Sequence, residues 1–401
     1  MATHDIVVVG GGVSGATFAL HAARAGRRVL LLEREARLGG CLHTVRTPEG
    51  FWFEMGAHTC YNSYGAFIDA IDGCGLRGEL QPRASPRLRF LERGALLPGH
   101  NMGALLRLLD LGELLRSLPR LAVTRQEGQT VYAYYSRIVG RGNYGRVLGP
   151  VLAAVPSQSA DAFPADMLFK KRPRRKNALR SFTLRGGLQG AVEAMARAPG
   201  VTVRAGAAAA AVQARGGGFA VALVGGERVE APALALAVPP GAAARLLAEA
   251  APELAGVVAR VREAEVDTLG FAVRAARAGH LPFSTFLVPL DDVFHSVVTR
   301  DPVPDPAWRG FAFHFRPGLS PEARRSRAAE VLGIGPEDMV AVAERRTVLP
   351  SPVLGHREVV REIDRLLAGT RLALTGNWFG GLAIEDCAQR SKREWERIAA
   401  S

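Results

Sequence analysis

Only four cysteines occur in the chain, and no two of them form a Cys-x-x-Cys pair. Their scarcity argues against a zinc ribbon and against a secreted disulfide scaffold, so we expect a reducing, cytoplasmic location. Long apolar runs are missing too, because the longest, residues 232–244, is interrupted by Pro239 and Pro240 and is too short to span a bilayer. We expect no signal peptide, since a buried strand is predicted from Asp5 onward.

Lysine is scarce, since only four of the 51 basic residues are lysines and the rest are arginines. Against 38 acidic residues this leaves a formal net charge of +13. Such a surplus would suit a dinucleotide, a carboxylated substrate or an acidic membrane surface. The arginines are scattered through an Ala-, Gly- and Arg-rich chain, however. We therefore interpret the charge as compositional bias and expect no nucleic-acid partner.

The length of 401 residues exceeds what one hydrophobic core usually organises, which predicts two domains. Apolar residues make up 48% of the chain and charged residues 22%, as in an ordinary folded protein. A disordered or collagen-like chain is therefore excluded.

The first strong motif is a glycine-rich turn near the N-terminus. Residues 5–9 predict a parallel strand buried on both faces, and a helix and a second strand ending at Glu33 follow. The turn has the spacing Gly-x-Gly-x-x-Gly at Gly10, Gly12 and Gly15. This βαβ unit predicts a dinucleotide site, with the pyrophosphate at the helix N-terminus and Glu33 on a ribose diol.

A double glycine, Gly39-Gly40, follows Glu33 closely and makes sense if the chain passes a second part of the cofactor. Together with the first turn and Glu33, this segment resembles the FAD-binding start of the flavin amine oxidase and protoporphyrinogen oxidase superfamily. The resemblance implies FAD as the cofactor. Cys41 departs from it, because these families usually carry Arg or Lys there. Cys41 is either a reactive thiol near the flavin or a small buried apolar residue.

Signals of the nucleotide domain return late in the chain, so we predict an α/β fold with a Rossmann-like domain built from discontinuous segments. The resemblance implies that the backbone at Val212 holds the adenine. Residues 372–387 predict a strand, a glycine turn and a helix to about Ile398. That helix N-terminus would face the electron-rich edge of the flavin. The predicted cofactor residues are Gly10, Gly12, Val13, Ser14, Gly15, Glu33, Arg34, Gly39, Gly40, Cys41, Val212, Gly376, Asn377, Gly381, Leu382 and Ala383.

The domain prediction assigns residues 1–75, 183–265 and 365–401 to FAD binding, and 76–182 and 266–364 to an α+β substrate domain. Within the latter, the leucine-rich stretch 101–121 predicts a helix that either faces the core or lies in a membrane interface. The basic run 170–176 predicts a solvated loop, with an anionic lipid or substrate contact as the alternative.

Two residues are candidates for contact with substrate. The stretch from Arg89 to Pro98 resembles a protoporphyrinogen oxidase segment whose arginine anchors a substrate propionate, which implies that Arg89 clamps a carboxylate. His58 follows the FAD motifs in Gly56-Ala57-His58 and is either an acid or base in the pocket or a hydrogen-bonded structural histidine.

The resemblance implies an FAD-dependent oxidase that takes hydride from a porphyrinogen or another large, apolar, carboxylated small molecule, with oxygen or a quinone as acceptor. The alternatives are an amine or specialised-metabolite oxidase of the same fold and a non-catalytic flavoprotein docking module. Many flavin amine oxidases use a lysine beside the flavin, but no lysine occurs between Lys176 and Lys392. No metal constellation is evident. A peripheral membrane contact and a homodimer stay open.

Overall fold

A computed structural model of the protein describes residues 4–85, 87–122 and 124–400. Its strands are β1 Ile6–Val9, β2 Val29–Leu32, β3 Thr44–Arg46, β4 Trp52–Glu54, β5 Cys60–Tyr61, β6 Leu80–Pro82, β7 Leu88–Glu92, β8 Ala95–Leu96, β9 Ser181–Leu184, β10 Val201–Arg204, β11 Ala209–Arg215, β12 Gly218–Leu223, β13 Arg228–Ala231, β14 Ala233–Leu236, β15 Glu263–Arg274, β16 Phe286–Pro289, β17 Phe294–Thr299, β18 Trp308–Phe315, β19 Val340–Pro350 and β20 Leu372–Leu374.

The α-helices are α1 Val13–Arg24, α2 Gly65–Gly73, α3 Asn101–Leu108, α4 Leu111–Ser117, α5 Val131–Val139, α6 Arg141–Asn143, α7 Gly149–Ala154, α8 Ala165–Leu168, α9 Gln189–Ala196, α10 Pro240–Leu247, α11 Pro252–Val258, α12 Pro321–Leu332, α13 His356–Leu367 and α14 Ile384–Ala399. Short 3₁₀ turns occupy Arg77–Glu79, Leu118–Ala122 and Pro336–Asp338, and a π-helical turn at Tyr144–Leu148 joins α6 to α7.

A five-stranded parallel sheet in the order β10-β2-β1-β14-β20 forms the first layer of the fold. β1 is apolar throughout because its alternate side chains enter two different cores. Val7 and Val9 pack with α10, α11, α13 and the small sheet β11-β12-β13, whereas Ile6 and Val8 pack with α1 and α14. Strands from widely separated segments thus share one sheet, which confirms the Rossmann-like domain of discontinuous segments.

A seven-stranded mixed sheet in the order β19-β15-β18-β17-β16-β7-β8 forms the second layer, with β16 and β7 parallel. Its core on one face is rich in phenylalanine, notably Phe271, Phe311 and Phe313, and α12 covers it. The small sheets β3-β4 and β5-β9-β6 complete the strand pairing described. This second sheet confirms the predicted α+β domain beside the Rossmann-like one.

Two predicted domain boundaries are corrected, because each falls inside a single element. The boundary at 265/266 cuts β15, whose residues pair with β18 and β19 in the seven-stranded sheet. The boundary at 364/365 cuts α13, whose Val359, Ile363 and Leu367 pack in the core beneath the parallel sheet. Each of these boundaries would assign the two ends of one hydrogen-bonded element to different domains. The remaining boundaries stay predictions.

The leucine-rich stretch is also not one helix, since α3 ends at Leu108 and α4 begins after Asp110, which caps it by accepting the Glu113 N–H. Several of its large apolar side chains are exposed, Leu115 by 65% and Met102 by 62%. The core-facing alternative is therefore wrong for these side chains.

The basic run 170–176 is held by acids of the same chain. Lys170 and Arg172 contact Asp386 at 3.3 and 2.8 Å, and Arg175 contacts Asp69 at 2.6 Å. Three of the six basic residues of the run thus share two internal carboxylates, with which an anionic lipid would have to compete. Within the described ranges, none of the helices has the length and apolarity needed to cross a bilayer.

Candidate active site

The turn between β1 and α1 is so tight that two of its glycines are required by the protein's own packing. Gly10 has φ +107°, and a Cβ on it would lie 2.4 Å from the Ala237 carbonyl oxygen. A Cβ on Gly15 would lie 1.9 Å from the Gly10 carbonyl oxygen. Both positions therefore exclude any side chain and bring α1 directly against β1 and β14.

Gly12 differs from its neighbours, and the difference indicates a bound group. Its φ of −79° suits any residue, and a Cβ there would meet no atom of the chain nearer than 3.7 Å. Neither strain nor internal packing requires glycine, whereas a group lying against this backbone would. Gly12 caps α1 without a side chain, so the N–H groups of Val13 and Ser14 receive no cap from it. The turn therefore fits a pyrophosphate.

Glu33 lies at the carboxyl end of β2, only 9% exposed, and is positioned by backbone donors. Its carboxylate accepts the Gly11 N–H at 2.7 Å and the Glu35 N–H at 2.8 Å. The side chain is therefore held rigidly beside the glycine turn, where a ribose would reach its remaining acceptor sites. Arg34, the next residue, is exposed to solvent.

The double glycine meets the first turn directly. The Gly39 N–H donates to the Gly11 carbonyl at 2.8 Å, and Gly39 forms a parallel bridge with Gly12. Gly39 and Gly40 have φ of +121° and +57°, so both need glycine. The Gly40 carbonyl accepts from Arg345 of β19 at 2.9 Å, which ties the seven-stranded sheet to this turn.

The C-terminal turn is joined to the same place. Ser391 of α14 donates to the Ser14 carbonyl at 2.8 Å and shares a 2.7 Å hydrogen bond with the Thr375 hydroxyl. At the start of α14, Asp386 accepts the Ala383 N–H at 3.3 Å. Gly376 and Gly381 have φ of +158° and +152° in this turn, which brings α14 against α1.

Val212 lies in β11, an edge strand of the sheet β11-β12-β13, and its side chain is fully buried in the core. Because β11 has a neighbour on one side only, some of its backbone donors and acceptors are free of the ladder. That is compatible with the predicted adenine contact, which stays a prediction.

A cavity with about 830 Å³ of empty space, counted to its solvent-open mouth, lies where these turns face the second sheet. The predicted residues that line it are Cys41, His58, Asn377 and Leu382. The substrate-side wall comes from β15, β16, β17, β18, β19 and the segment after α7, with Val266, Thr268, Phe286, Val298, His314, Arg345, Thr347, Leu349, Val155, Pro156 and Ser157. His43, Met55, Gly56 and Ala57 complete the lining.

The three histidines of this cavity are uncharged at neutral pH. Burial lowers the pKa of His43 and of His314 to about 4. Burial and, secondarily, the positive charge of Arg83 lower the pKa of His58 to about 3. Its Nδ1 lies 3.2 Å from the Gly56 carbonyl oxygen and its ring lies against Phe286, 5.5 Å between centroids. These contacts favour the structural reading of His58; an acid or base role stays a prediction.

Arg89 does not line the cavity. On β7, its Nε donates to the Phe283 carbonyl at 3.2 Å and its Nη1 to the Gly99 carbonyl at 2.9 Å. The guanidinium is thus partly used in holding two loops together. The carboxylate clamp at Arg89 stays a prediction that this geometry does not favour.

Several lining residues escaped the sequence reasoning because they belong to no motif. Arg345, Thr347 and Leu349 alternate along β19, and Val266 and Thr268 alternate along β15. A period of two marks the shared face of a strand. The sequence carries that signal, but it does not show which of the two faces meets the flavin turns.

The family model for flavin containing amine oxidoreductases matches residues 13–264. Among curated proteins, Bos taurus protoporphyrinogen oxidase is 24% identical over 476 aligned positions that cover 98% of each chain. Danio rerio all-trans-retinol 13,14-reductase is 46% identical over 54 residues, 14% of this chain and only 9% of the reductase.

Two solved structures share the fold over nearly the whole chain. One is a protein from Exiguobacterium sp. 255-15, provisionally described as a protoporphyrinogen oxidase, with a TM-score of 0.79, 19% identity and coverage of 100% of this chain and 99% of that one. The other is reduced UDP-galactopyranose mutase, with a TM-score of 0.74 and 17% identity. The match covers 99% of this chain and 95% of the mutase chain. The matched model spans well over half of the sequence and ends inside β15. The chain therefore belongs to the flavin containing amine oxidoreductase family and is an FAD-dependent oxidoreductase.

Proposed function

We propose that the protein is an FAD-dependent oxidase of a large, apolar, carboxylated molecule of the porphyrinogen type, with oxygen or a quinone as electron acceptor. The observation that carries this proposal is the chemical character of the cavity. Among the residues that the structure describes, its lining contains many apolar side chains and one cation, Arg345, but no aspartate or glutamate. A protonated amine would lose its hydration there with no carboxylate in the described lining to replace it. Arg345 already pairs with Glu35 at 3.0 Å, so the cavity suits the apolar body of a carboxylated substrate rather than its charged end.

FAD, when bound, supplies the two-electron oxidation. The glycine turns would hold the cofactor, and the cavity wall would orient the substrate beside it. The glycine turns would lie along the dinucleotide, and the start of α14 would stabilise negative charge on it. The neutral histidines offer hydrogen bonds without adding positive charge, since their pKa values lie well below 7. Phe286 and Val298 give the substrate side of the cavity an apolar wall.

The relatives support the same proposal. Protoporphyrinogen oxidases of Bos taurus and Homo sapiens align with 98% and 97% of this chain. The second candidate is oxidation of an amine, which the family model and the fold of putrescine oxidase favour, the latter with a TM-score of 0.70 and 17% identity. The lack of a lysine between Lys176 and Lys392 weighs against it, as does a cavity lining without a carboxylate.

Anaerobic mixing of the FAD-loaded protein with protoporphyrinogen tests the proposal. We expect the yellow flavin absorbance to bleach, and to return when oxygen or a quinone is added. A panel of amines, putrescine included, is the matched arm. Bleaching by an amine while protoporphyrinogen leaves the spectrum unchanged would replace the first function by the second.

We also propose a peripheral contact with an anionic membrane surface through α3, α4 and the following turn. The exposed apolar side chains Met102, Leu106, Leu111, Leu115, Leu118 and Leu121 cluster in this stretch. Arg107, Arg116 and Arg120 lie among them in sequence and would meet lipid phosphates. Sedimentation with phosphatidylserine vesicles should therefore decrease with added salt, and Leu115→Ser should weaken it further. A homodimer stays a prediction.

A further inference from the structure

Next to the flavin-side cavity lies a second, more enclosed and narrow pocket, which we call the cationic pocket. Its empty space counted to the mouth is about 320 Å³, of which only a small part is wide enough for a water-sized group. Two arginines, Arg83 and Arg300, line it, together with Glu54, Thr183 and an apolar wall that includes Trp52. His58 and Val298 line both spaces, so the pocket lies directly behind the wall of the larger cavity.

Arg300 is held in place by aromatic rings, but two of its nitrogen atoms make no hydrogen bond in the described part of the chain. Its guanidinium carbon lies 3.9 Å from the centre of the Trp52 ring and 5.7 Å from that of Phe51. This stacking uses the flat face of the guanidinium and leaves its edge for hydrogen bonds. Its Nε and Nη1 atoms are nevertheless buried with no acceptor among the residues that the structure describes. Such donors need an acceptor oxygen.

Thr183 of β9 also lines the pocket with a hydrogen bond unmade. The residue is 1% exposed, and its Oγ1 is buried with no hydrogen-bond partner in the described part of the chain. A hydroxyl can donate to an anion as readily as it accepts from a neutral group. Three buried polar atoms from two residues thus line one small space with their hydrogen bonds unmade.

The charges in the pocket do not balance. Burial lowers the pKa of Arg83 and of Arg300 to about 10, so both remain cations at neutral pH. Glu54 is the carboxyl in the lining, and burial raises its pKa to about 7. Its oxygens already accept the Leu188 N–H at 2.7 Å and the Thr44 hydroxyl at 2.9 Å. Asp305, outside the lining, also stabilises the Arg300 cation. Within the lining, two guanidinium groups face one partly ionised acid, which leaves the lining positive.

We propose that the cationic pocket binds a carboxylate, with Arg300 and Thr183 as hydrogen-bond donors and Arg83 as the second cation. The carboxylate is the anionic end of the molecule that occupies the larger cavity, reaching past His58. The assignment to a substrate group rests on the proposed function. The pocket would take the role that the family resemblance implied for Arg89, with atoms of Arg300 and Thr183 that have no hydrogen-bond partner in the described part of the chain.

The test uses FAD-loaded protein and calorimetric titration with sodium propionate, with propionamide as the uncharged control and sodium bromide as the inorganic anion. We expect propionate to bind and propionamide not to bind. Arg300→Gln should weaken propionate binding by at least ~10-fold, and Thr183→Val by a few-fold, because charge-assisted hydrogen bonds are lost. FAD content should be unchanged in both variants.

Arg274→Gln is the matched control, since Arg274 stacks on Trp308 at 3.8 Å in the same sheet but does not line the pocket. It should change propionate affinity by less than ~2-fold. Arg300→Lys keeps the charge and loses the planar fork, so it provides a second variant if Arg300→Gln folds poorly. Equal propionate binding by wild type and both Arg300 variants would overturn the proposal.

Two further outcomes separate this proposal from the function on which it rests. If propionate binding depends on Arg300 but protoporphyrinogen does not bleach the flavin, the carboxylate site stands and the porphyrinogen assignment falls. If protoporphyrinogen is oxidised with an unchanged KM in Arg300→Gln, while bromide competes fully with propionate, the pocket holds a free inorganic anion and the substrate-end assignment is wrong.

Discussion

At the dinucleotide end of the site the chain presents backbone, with glycines at Gly10, Gly12 and Gly15 and the bare start of α1. At the substrate end it presents side chains, which come from strands as distant in sequence as β4 and β19. Backbone sites require particular residues at short spacing. Side-chain sites need only a shared face, which many residues can provide. The first end is therefore specific in sequence, and the second is adaptable.

Substitutions in the turn between β1 and α1 give the strongest test of this difference between the dinucleotide end and the substrate end. Gly15→Ala places a Cβ 1.9 Å from the Gly10 carbonyl oxygen, so we expect a loss of at least about 3 kcal/mol in the free energy of unfolding and little FAD-loaded protein. Gly12→Ala is the matched variant, because its Cβ would make only ordinary van der Waals contacts, the nearest at 3.7 Å to the Gly40 Cα. It should fold normally and lose FAD affinity by ~10-fold or more. Denaturation and FAD content separate the two, and a well-bound FAD in Gly12→Ala would contradict the phosphate assignment.

The substrate end should make the protein sensitive to acid. Burial lowers the pKa of His314 from 6.5 to about 4. Between these two pH values, His314 is protonated in the unfolded chain but neutral in the folded protein. The free energy of unfolding is therefore highest above pH 6.5 and decreases as the pH falls towards 4. At about pH 5, His314 alone accounts for a decrease of about 2 kcal/mol. In His314→Gln, the decrease in the free energy of unfolding between about pH 7 and 5, measured by urea unfolding, should be smaller than in wild type by about 2 kcal/mol. An unchanged pH slope would refute it.

A variant at the junction of the two ends would sharpen the comparison. Arg345 reaches from β19 to the Gly40 carbonyl and to Glu35 at 3.0 Å. Arg345→Met should cost about 1–2 kcal/mol and weaken FAD binding several-fold, since it frees the double-glycine turn. Arg346→Met is the control, because Arg346 pairs with Asp267 and does not touch the turn. Equal FAD affinities in the two variants, measured by titration of apoprotein, would show that the ends are independent.

The smallest effect is expected at Arg89. Its contacts with two backbone carbonyls predict that Arg89→Ala costs about 1 kcal/mol in stability and leaves the KM for a carboxylated substrate within ~2-fold. A carboxylate clamp at Arg89 would instead raise that KM by ~10-fold or more without changing FAD content. Steady-state kinetics with protoporphyrinogen distinguishes the two.

The glycine turns on the cofactor side could be predicted from the sequence, because the positive φ of Gly10, Gly39 and Gly40 restricts these positions to glycine. Their contacts with FAD stay predictions, and the bridge between Gly39 and Gly12 is a finding of the structure. The cavity wall could not be predicted, because Thr347 and His314 are ordinary strand residues until their sheet is placed against the flavin turns. The break of the leucine-rich stretch at Asp110 does have a signal in the sequence, because an aspartate three residues before Glu113 is typical of a helix N-cap.

The sequence by itself determined the dinucleotide motif, the family resemblance and the prediction of FAD as the cofactor. It could do so because glycine positions and helix starts act through local backbone geometry. Only the tertiary structure decided which arginines are buried without partners and which are held by carbonyls. Arg89 and Arg300 look alike in sequence, and their difference lies in neighbours that are far away along the chain. Desolvation and unmade hydrogen bonds are properties of packing, so no local pattern can encode them.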